Sequence, residues 1–277
     1  MYVFKEIISS RNNPTVKWAS SLADKKGRNE NTSFIAEGEK LTLEALELGL
    51  PLTHIFIKES RVQRILDLLD PYFDDERYVD CNVITLSDGA FEKISTEKAP
   101  QGVISVIKYL DFFRNLDIIY KEEFFISDDE RALALFSVRD PGNLGAVIRS
   151  AVAFGVNHIV LSADSADIYN PKTVRAAMGT MFKVKITIVS DFASFVSATK
   201  EVGRRIFAAE LNDRAVSVKD VSVQKNDIFI IGNEGHGISK EISEICTGSV
   251  YIPISSNAES LNASVAAAVF MWEQNNI

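Results

Sequence analysis

Three stretches of the chain bring together side chains able to bind and orient a reacting ligand. Asp140-Pro141-Gly142-Asn143 opens a segment that runs on to Arg149, Gly232-Asn233-Glu234-Gly235-His236-Gly237 forms a second, and Ser260-Leu261-Asn262-Ala263-Ser264 a third. Each follows an apolar run, so together they can line one pocket with backbone N–H and C=O groups, and the three glycines of the second let backbone approach a ligand closely. Each stretch alone has a plainer reading. Asn143 reads first as the cap of the helix it precedes. The glycines read as turn residues, Glu234 as a solvated loop acid, and Ser260, Asn262 and Ser264 as caps of a last helix. Arg149 is harder to assign to structure. Ala146, Val147, Ile148, Ala151, Val152 and Phe154 around it are apolar, so its guanidinium either reaches past them to solvent or meets a specific anion.

The elements that must position these groups are short apolar runs alternating with helix-like segments from residue 131 onward, the pattern of a parallel sheet with crossover helices. Strands are expected at 132–138, 158–161, 184–189, 205–209, 228–231 and 250–254. One helix runs to Phe154, a second starts from the cap Asn170 with Pro171 at its first position and stops at Gly179, and a last one covers 262–274. In such sheets ligands gather where strands end and loops enter helices, which is where all three polar stretches fall. The spacing G-x-x-G-x-G is neither the dinucleotide fingerprint nor a phosphate-binding P-loop. An adenosine ligand without a pyrophosphate stays open.

Residues 1–108 are mixed as well, with helix-like stretches at 15–23, 38–48 and 63–69 and strand-like ones at 54–57 and 103–107, so a smaller α/β domain is expected there. Residues 109–130, charged, aromatic and not periodic, read as a linker or insertion, and 131–277 as the larger domain. The net charge of −8 argues against a protein that coats nucleic acid nonspecifically. Locally the sign reverses: Lys5, Arg11, Lys17, Lys25, Lys26 and Arg28 face only Glu6 and Asp24 within the first 28 residues. Two cysteines and three histidines without ligand spacing leave no material for a disulfide framework or a metal centre. No apolar run approaches the roughly 18 residues of a membrane span, and the first ten residues lack the apolar core of a signal peptide. The expected compartment is the cytoplasm.

In order and spacing the three stretches resemble the signature motifs of the SpoU/TrmH family of RNA ribose 2′-O-methyltransferases. The match runs through Asn143 and Arg149, through Phe229-Ile230-Ile231-Gly232-Asn233-Glu234-Gly235-His236-Gly237, and through Ile252-Pro253 to Ser260-Leu261-Asn262-Ala263-Ser264-Val265-Ala266. Tyr169-Asn170-Pro171 to Gly179 is similar too, while Ser9 to Pro14 and Phe34 to Gly38 resemble, more weakly, the N-terminal substrate-binding domain of many members. The resemblance implies a trefoil-knotted α/β domain beside that smaller domain, a homodimer with active sites at the subunit interface, and S-adenosyl-L-methionine as cofactor. Carried over by position, Gly232, Ile252, Leu261 and Ala263 contact the cofactor. Asn143, Arg149, Glu234, Ser260 and Asn262 form the catalytic and substrate-orienting set. Ala263 and Ala176-Ala177 depart mildly from the family pattern, and neither removes a polar catalytic group.

The implied reaction is displacement by a ribose 2′-hydroxyl oxygen on the methyl carbon of a sulfonium. Arg149 is then either the general base, its charge suppressed by apolar surroundings, or a cation that holds the oxyanion and a neighbouring phosphate. Arg11, Lys17, Lys25 and Lys26 are expected to grip RNA phosphates, against the plainer reading of a solvated lysine surface. Ribosomal RNA of the large subunit is favoured over transfer RNA. Two competing readings remain at this level: an RNA-binding assembly factor without chemistry, and a dinucleotide enzyme, which the missing glycine fingerprint disfavours.

Overall fold

Residues 1–4, 6–111, 113–116, 126–127 and 129–275 are described by the computed structural model. Lys5 and positions 117–125 of the expected linker lie outside the described residues. The chain separates into two units, Met1–Leu110 with Asp167–Phe182, and Asp111–Ala166 with Lys183–Ile277.

The first unit runs β1 (Tyr2–Val3), α1 (Pro14–Ser21), α2 (Lys25–Asn31), β2 (Ser33–Glu37), α3 (Glu39–Glu47), β3 (Leu52–Lys58), α4 (Val62–Leu69), β4 (Asn82–Leu86), α5 (Asp88–Ile94) and β5 (Val103–Lys108). Its sheet has the order β1-β4-β3-β5-β2, with β5 antiparallel to both neighbours. Val16 and Leu22 pack with Phe56, Leu86, Phe91 and Ile104 against one face. Asn13 caps α1 by accepting the Thr15 N–H at 2.9 Å, with Pro14 at the first helical position where its missing N–H costs nothing.

Asp167–Phe182, read from the sequence as part of the larger domain, packs into this first unit. Arg28 explains much of that. It is 1% exposed, donates to the Leu22 and Ala23 carbonyls at 3.0 and 2.6 Å, and meets the Asp167 carboxylate at 2.6 Å. Its inclusion in a basic surface is therefore corrected: this guanidinium is a buried structural group. Tyr169 lies flat on Tyr109 at 4.1 Å and near Phe34, and its hydroxyl accepts the Leu110 N–H at 2.8 Å. Val174, Ala177 and Met181 complete the buried strip.

The second unit contains β6 (Phe113–Leu116), β7 (Ala132–Leu135), α6 (Pro141–Ala153) and β8 (His158–Ser162). The chain then forms α7 (Pro171–Ala177) in the first unit before returning through β9 (Lys185–Val189), α8 (Phe192–Glu201), β10 (Ile206–Ala209), β11 (Val216–Ser217), β12 (Ile228–Ile231), α9 (Lys240–Ile245), β13 (Gly248–Tyr251) and α10 (Ala263–Asn275). Among the described residues the eight strands of this sheet are all parallel, in the order β11-β13-β10-β12-β7-β8-β9-β6. Strands buried on both faces read as continuous apolar runs, as in Ile228-Phe229-Ile230-Ile231. The register sets Leu135 of β7 beside Ile231 of β12 and Ala209 of β10 beside Val250 of β13, so the loops that follow all leave from one edge. Among the described residues no helix is long and apolar enough to cross a membrane.

Candidate active site

Past β7 the chain turns sharply at Ser137, a non-glycine residue at φ +57°. That conformation costs of order 1 kcal/mol and persists only where its surroundings fix it. Here they do: the Ser137 N–H donates to Ser162 Oγ at 2.7 Å, its hydroxyl to Asp164 at 2.5 Å, and its carbonyl accepts from Asn233 Nδ2 at 2.7 Å. Burial works against the Asp164 charge, but hydrogen bonds from Ser137, Ser162 and Arg139 outweigh it and hold the carboxyl below the usual carboxylate range. The loops after β7, β8 and β12 are thus tied together by polar contacts.

Asp140 caps α6, accepting the Asn143 N–H at 2.8 Å. This corrects the expectation that Asn143 is the cap, and it frees the Asn143 side chain. The amide Nδ2 donates to Glu234 Oε1 at 2.9 Å, and Oδ1 accepts from Asn262 Nδ2 at 3.0 Å. Residues 143, 234 and 262 thus form one continuous hydrogen-bonded row drawn from the first turn of α6 and two loops. Asn262 has two roles, since its Oδ1 also accepts the Ser264 N–H at 2.9 Å and so caps α10. The plainer reading of Asn262 and the functional one both hold.

Glu234 sits in a narrow loop closed by paired backbone hydrogen bonds between Asn233 and Gly237, each 3.0 Å. Asn233 Oδ1 further accepts the Gly235 and His236 N–H groups at 2.9 and 3.0 Å. Gly232 has to be glycine because a Cβ there would meet the Gly237 carbonyl carbon at 2.5 Å. Asn233, which ties this loop to Ser137, was missed as a site residue in the sequence, where it stands unmarked among glycines.

Beside the row lies a cavity of about 710 Å³, lined from β12 by Ile231 to Gly235, from β10 by Ala209 to Leu211, from β13 and the loop after it by Val250 to Ser256 and Ala258 to Leu261, and from α10 by Ala263, Ala266 and Phe270. Gly232, Ile252, Leu261 and Ala263, the four residues assigned to a cofactor, all line it, as do Glu234 and Ser260. Asn143 and Asn262 reach it through Glu234. The volume falls within the range of sites for small organic ligands, and the apolar floor beneath polar loops suits a nucleoside. The buried Cys246 thiol nearby is pushed up to about 12 by burial, with the Glu210 charge adding to the effect, so it offers no nucleophile.

Arg149 departs from its expected surroundings. On α6 the buried positions are Leu144, Gly145, Val147, Ile148 and Ala151, and residue 149 points away from that stripe into solvent. Of the apolar residues around it in sequence, Val147, Ile148 and Ala151 are buried on the other side of the helix, so Arg149 is not enclosed by them. Among the described residues Arg149 has no hydrogen-bond or ion-pair partner. Arg11, Lys17, Lys25 and Lys26 are all exposed in the first unit, and only Lys26 makes an ion pair, with Glu30 at 3.8 Å. Among the described residues no three His, Cys, Asp or Glu side chains come together to hold a metal ion.

A crevice at the carboxyl ends of parallel strands, with a polar row along one wall, defines an α/β domain built to present a small organic ligand to a second substrate. The chain belongs to the SpoU rRNA methylase family, whose sequence profile matches residues 130–272. Residues 13–105 match the profile of an MRM3-like substrate binding domain. Similar proteins include the 23S rRNA (guanosine(2553)-2'-O)-methyltransferase RlmP of Bacillus subtilis, 30% identical over 97% of this chain and 98% of its own length. The 23S rRNA (uridine(2479)-2'-O)-methyltransferase of Streptomyces viridochromogenes is 28% identical over 96% of this chain and 90% of its own. The crystal structure of an AdoMet-bound rRNA methyltransferase from Sinorhizobium meliloti superimposes with a TM-score of 0.80 at 26% identity, covering 99% of this chain and 98% of that one.

Proposed function

We propose that this protein transfers a methyl group from S-adenosylmethionine to a ribose 2′-hydroxyl of 23S ribosomal RNA. The observation that carries the reading is the Asn143–Glu234–Asn262 row running along the wall of the cavity lined by Gly232, Ile252, Leu261 and Ala263. Support for the cofactor and the RNA comes from the AdoMet-bound neighbour and from relatives named for 23S rRNA.

Bound in the cavity, the cofactor supplies an electrophilic methyl group on a sulfonium. Gly232, Ile252, Leu261 and Ala263 enclose it, and the knot implied by the family resemblance belongs with this crevice. Asn143 is locked by an acceptor on one side and a donor on the other, which leaves its second Nδ2 hydrogen to bind the sugar oxygen as negative charge develops there. Arg149, exposed and permanently charged as arginines are, serves as the clamp for a backbone phosphate and the oxyanion. The hydroxyl proton passes to solvent. Ser260, on the cavity wall, orients the ribose.

The active unit is a homodimer. Val265 and Trp272, each about half exposed at 49% and 51%, stand on the outer face of α10, with Phe154 edge-on to the Trp272 ring. A second copy covers this apolar strip. Arg11, Lys17, Lys25 and Lys26 bind RNA phosphates, and the site of action is the cytoplasm, where ribosomes are built. The test is methylation of 23S rRNA by the purified protein with labelled S-adenosylmethionine, followed by mapping of the modified nucleotide. Methyl label found on a base rather than a ribose oxygen, or on no RNA at all, would overturn the proposal.

A further inference from the structure

Glu210 follows β10 at its carboxyl end and lines the cavity. One side of its carboxylate is held firmly: Oε1 accepts from Ser249 Oγ at 2.8 Å, from Asn212 Nδ2 at 2.7 Å and from the Ser243 hydroxyl. Asn212 Nδ2 also donates to Ser249 Oγ at 2.9 Å, closing the network. Oε2 accepts from no donor among the described residues. An ionised carboxylate offers acceptor sites on both oxygens, so half the capacity of this group stands ready for a ligand's donors. The next residue, Leu211, is 80% exposed and adds an apolar edge beside the carboxylate.

The sheet order places Glu210 with respect to the chemistry. β12 separates β10 from β7, the strand that leads to Asn143, so Glu210 stands on the wall opposite the reacting end marked by Glu234 and Asn143. Besides its reacting methyl, the sulfonium carries the nucleoside, whose vicinal ribose hydroxyls are donors, and the amino-acid arm, whose ammonium is one; the apolar edge at Leu211 beside the carboxylate suits the nucleoside. We infer that Glu210 is the ribose receptor of the cofactor, with Oε2 accepting a ribose hydroxyl and Asn212, Ser243 and Ser249 fixing the carboxylate in advance. This deepens the methyltransferase reading and rests on it. An acid at the end of a parallel strand serves ribose in the same way in dinucleotide-binding sheets, and a receptor already held in place loses little freedom on binding.

Calorimetry on the full chain tests it with S-adenosylhomocysteine, its 2′,3′-dideoxyribose analogue and 5′-methylthioadenosine, on wild type, Glu210→Ala and Glu210→Gln. Wild type is expected to favour S-adenosylhomocysteine over the dideoxy analogue by about tenfold or more, the worth of a hydrogen bond to a charged group. Glu210→Ala loses that preference, weakening S-adenosylhomocysteine and methylthioadenosine by the same factor and leaving the dideoxy analogue unchanged. Glu210→Gln, which keeps the shape and an acceptor for the serines, shows a smaller loss in the same direction. A preference that survives in the alanine variant overturns the inference, as does equal weakening of the hydroxylated and dideoxy ligands. Unchanged methylthioadenosine binding beside weakened S-adenosylhomocysteine also overturns it, and would move the carboxylate's partner to the amino-acid end. Failure of wild type to bind S-adenosylhomocysteine at all would instead sink the cofactor reading itself.

Discussion

Arg28 in the first unit and Arg149 in the second show two opposite uses of one side chain. Arg28 is sealed from water, with carbonyls and the Asp167 carboxylate around its guanidinium. Such a pair, once buried, cannot lose one member without stranding the other's charge. Arg149 stands in solvent with no partner among the described residues, close in sequence to Asn143, whose side chain is spent on exposed hydrogen bonds that contribute little to folding. The first arrangement holds a fold together. In the second, polar groups from distant segments meet without being buried, and stability does not explain the meeting.

The contrast can be broken most directly at Arg149. Replacing it with alanine is expected to lower methyl transfer by about a thousandfold, in the range for removal of a preorganised charge-stabilising group. Thermal unfolding should shift by no more than about 0.5 kcal/mol, the usual reach of a surface change. A large fall in unfolding temperature would place Arg149 in the same class as Arg28. For Arg28→Ala the expectation is reversed: about 3 kcal/mol of stability lost in denaturant titration, with S-adenosylhomocysteine affinity retained at temperatures where the protein stays folded.

Asn143→Ala and Asn262→Ala sharpen the picture at a smaller scale. Each should slow methylation by roughly ten- to a hundredfold, about 1.5–3 kcal/mol, since Asn143 bonds the charged Glu234 directly and Asn262 holds Asn143 in place. If the row works as one device, the double variant is little worse than either single one; additive losses in this mutant cycle would show that the two amides act separately.

How far the sequence foretold this difference depends on which contacts are local. The strands β7, β8, β9, β10, β12 and β13 and the ends of α6, α7 and α10 are legible because continuous apolar runs and Asn-Pro or Gly punctuation are local signals. The strands β1, β2, β4 and β11, the strand β6, which lies in the expected linker, and the helices α2, α5, α8 and α9 are not announced. Asn82-Val83-Ile84-Thr85-Leu86 is short, and the Asp88-Gly89 that follows punctuates it without telling strand from loop, while Phe192–Glu201 mixes small polar residues into its apolar face. The surroundings of Arg149 are misjudged from sequence because Val147, Ile148 and Ala151, close to it along the chain, lie about 100° or more round the helix from it. Asn143 was read as a cap for want of any means to see Glu234, ninety-one positions later. Nor could spacing show that Asp167–Phe182 shares a core with Arg28 and Tyr109.

The smallest effect belongs to pH. His54, stacked on Phe56 and tilted against Trp18, is partly buried, and that burial lowers its pKa below the ordinary value. Its folded form therefore takes up a proton less readily than its unfolded one. The associated stability is complete above the ordinary imidazole range, near 6.5, and is lost as pH falls through the depressed folded value. Unfolding followed by Trp18 fluorescence should show a modest decline on acidification below that range, absent in His54→Gln. An equal decline in that variant would move the cause elsewhere in the unit.

The strip formed by Asp167–Phe182 bears on how such proteins can be rearranged. Because it is encoded between β8 and β9 yet furnishes part of the other unit's interior, cutting the gene near codon 108 yields no clean module. A shortened chain starting there would expose Tyr169, Val174 and Met181 to water, and the excised front piece would lack the carboxylate that neutralises its sealed guanidinium. Any exchange between relatives of the portion that matches the substrate binding domain profile has to carry this remote ribbon along with it.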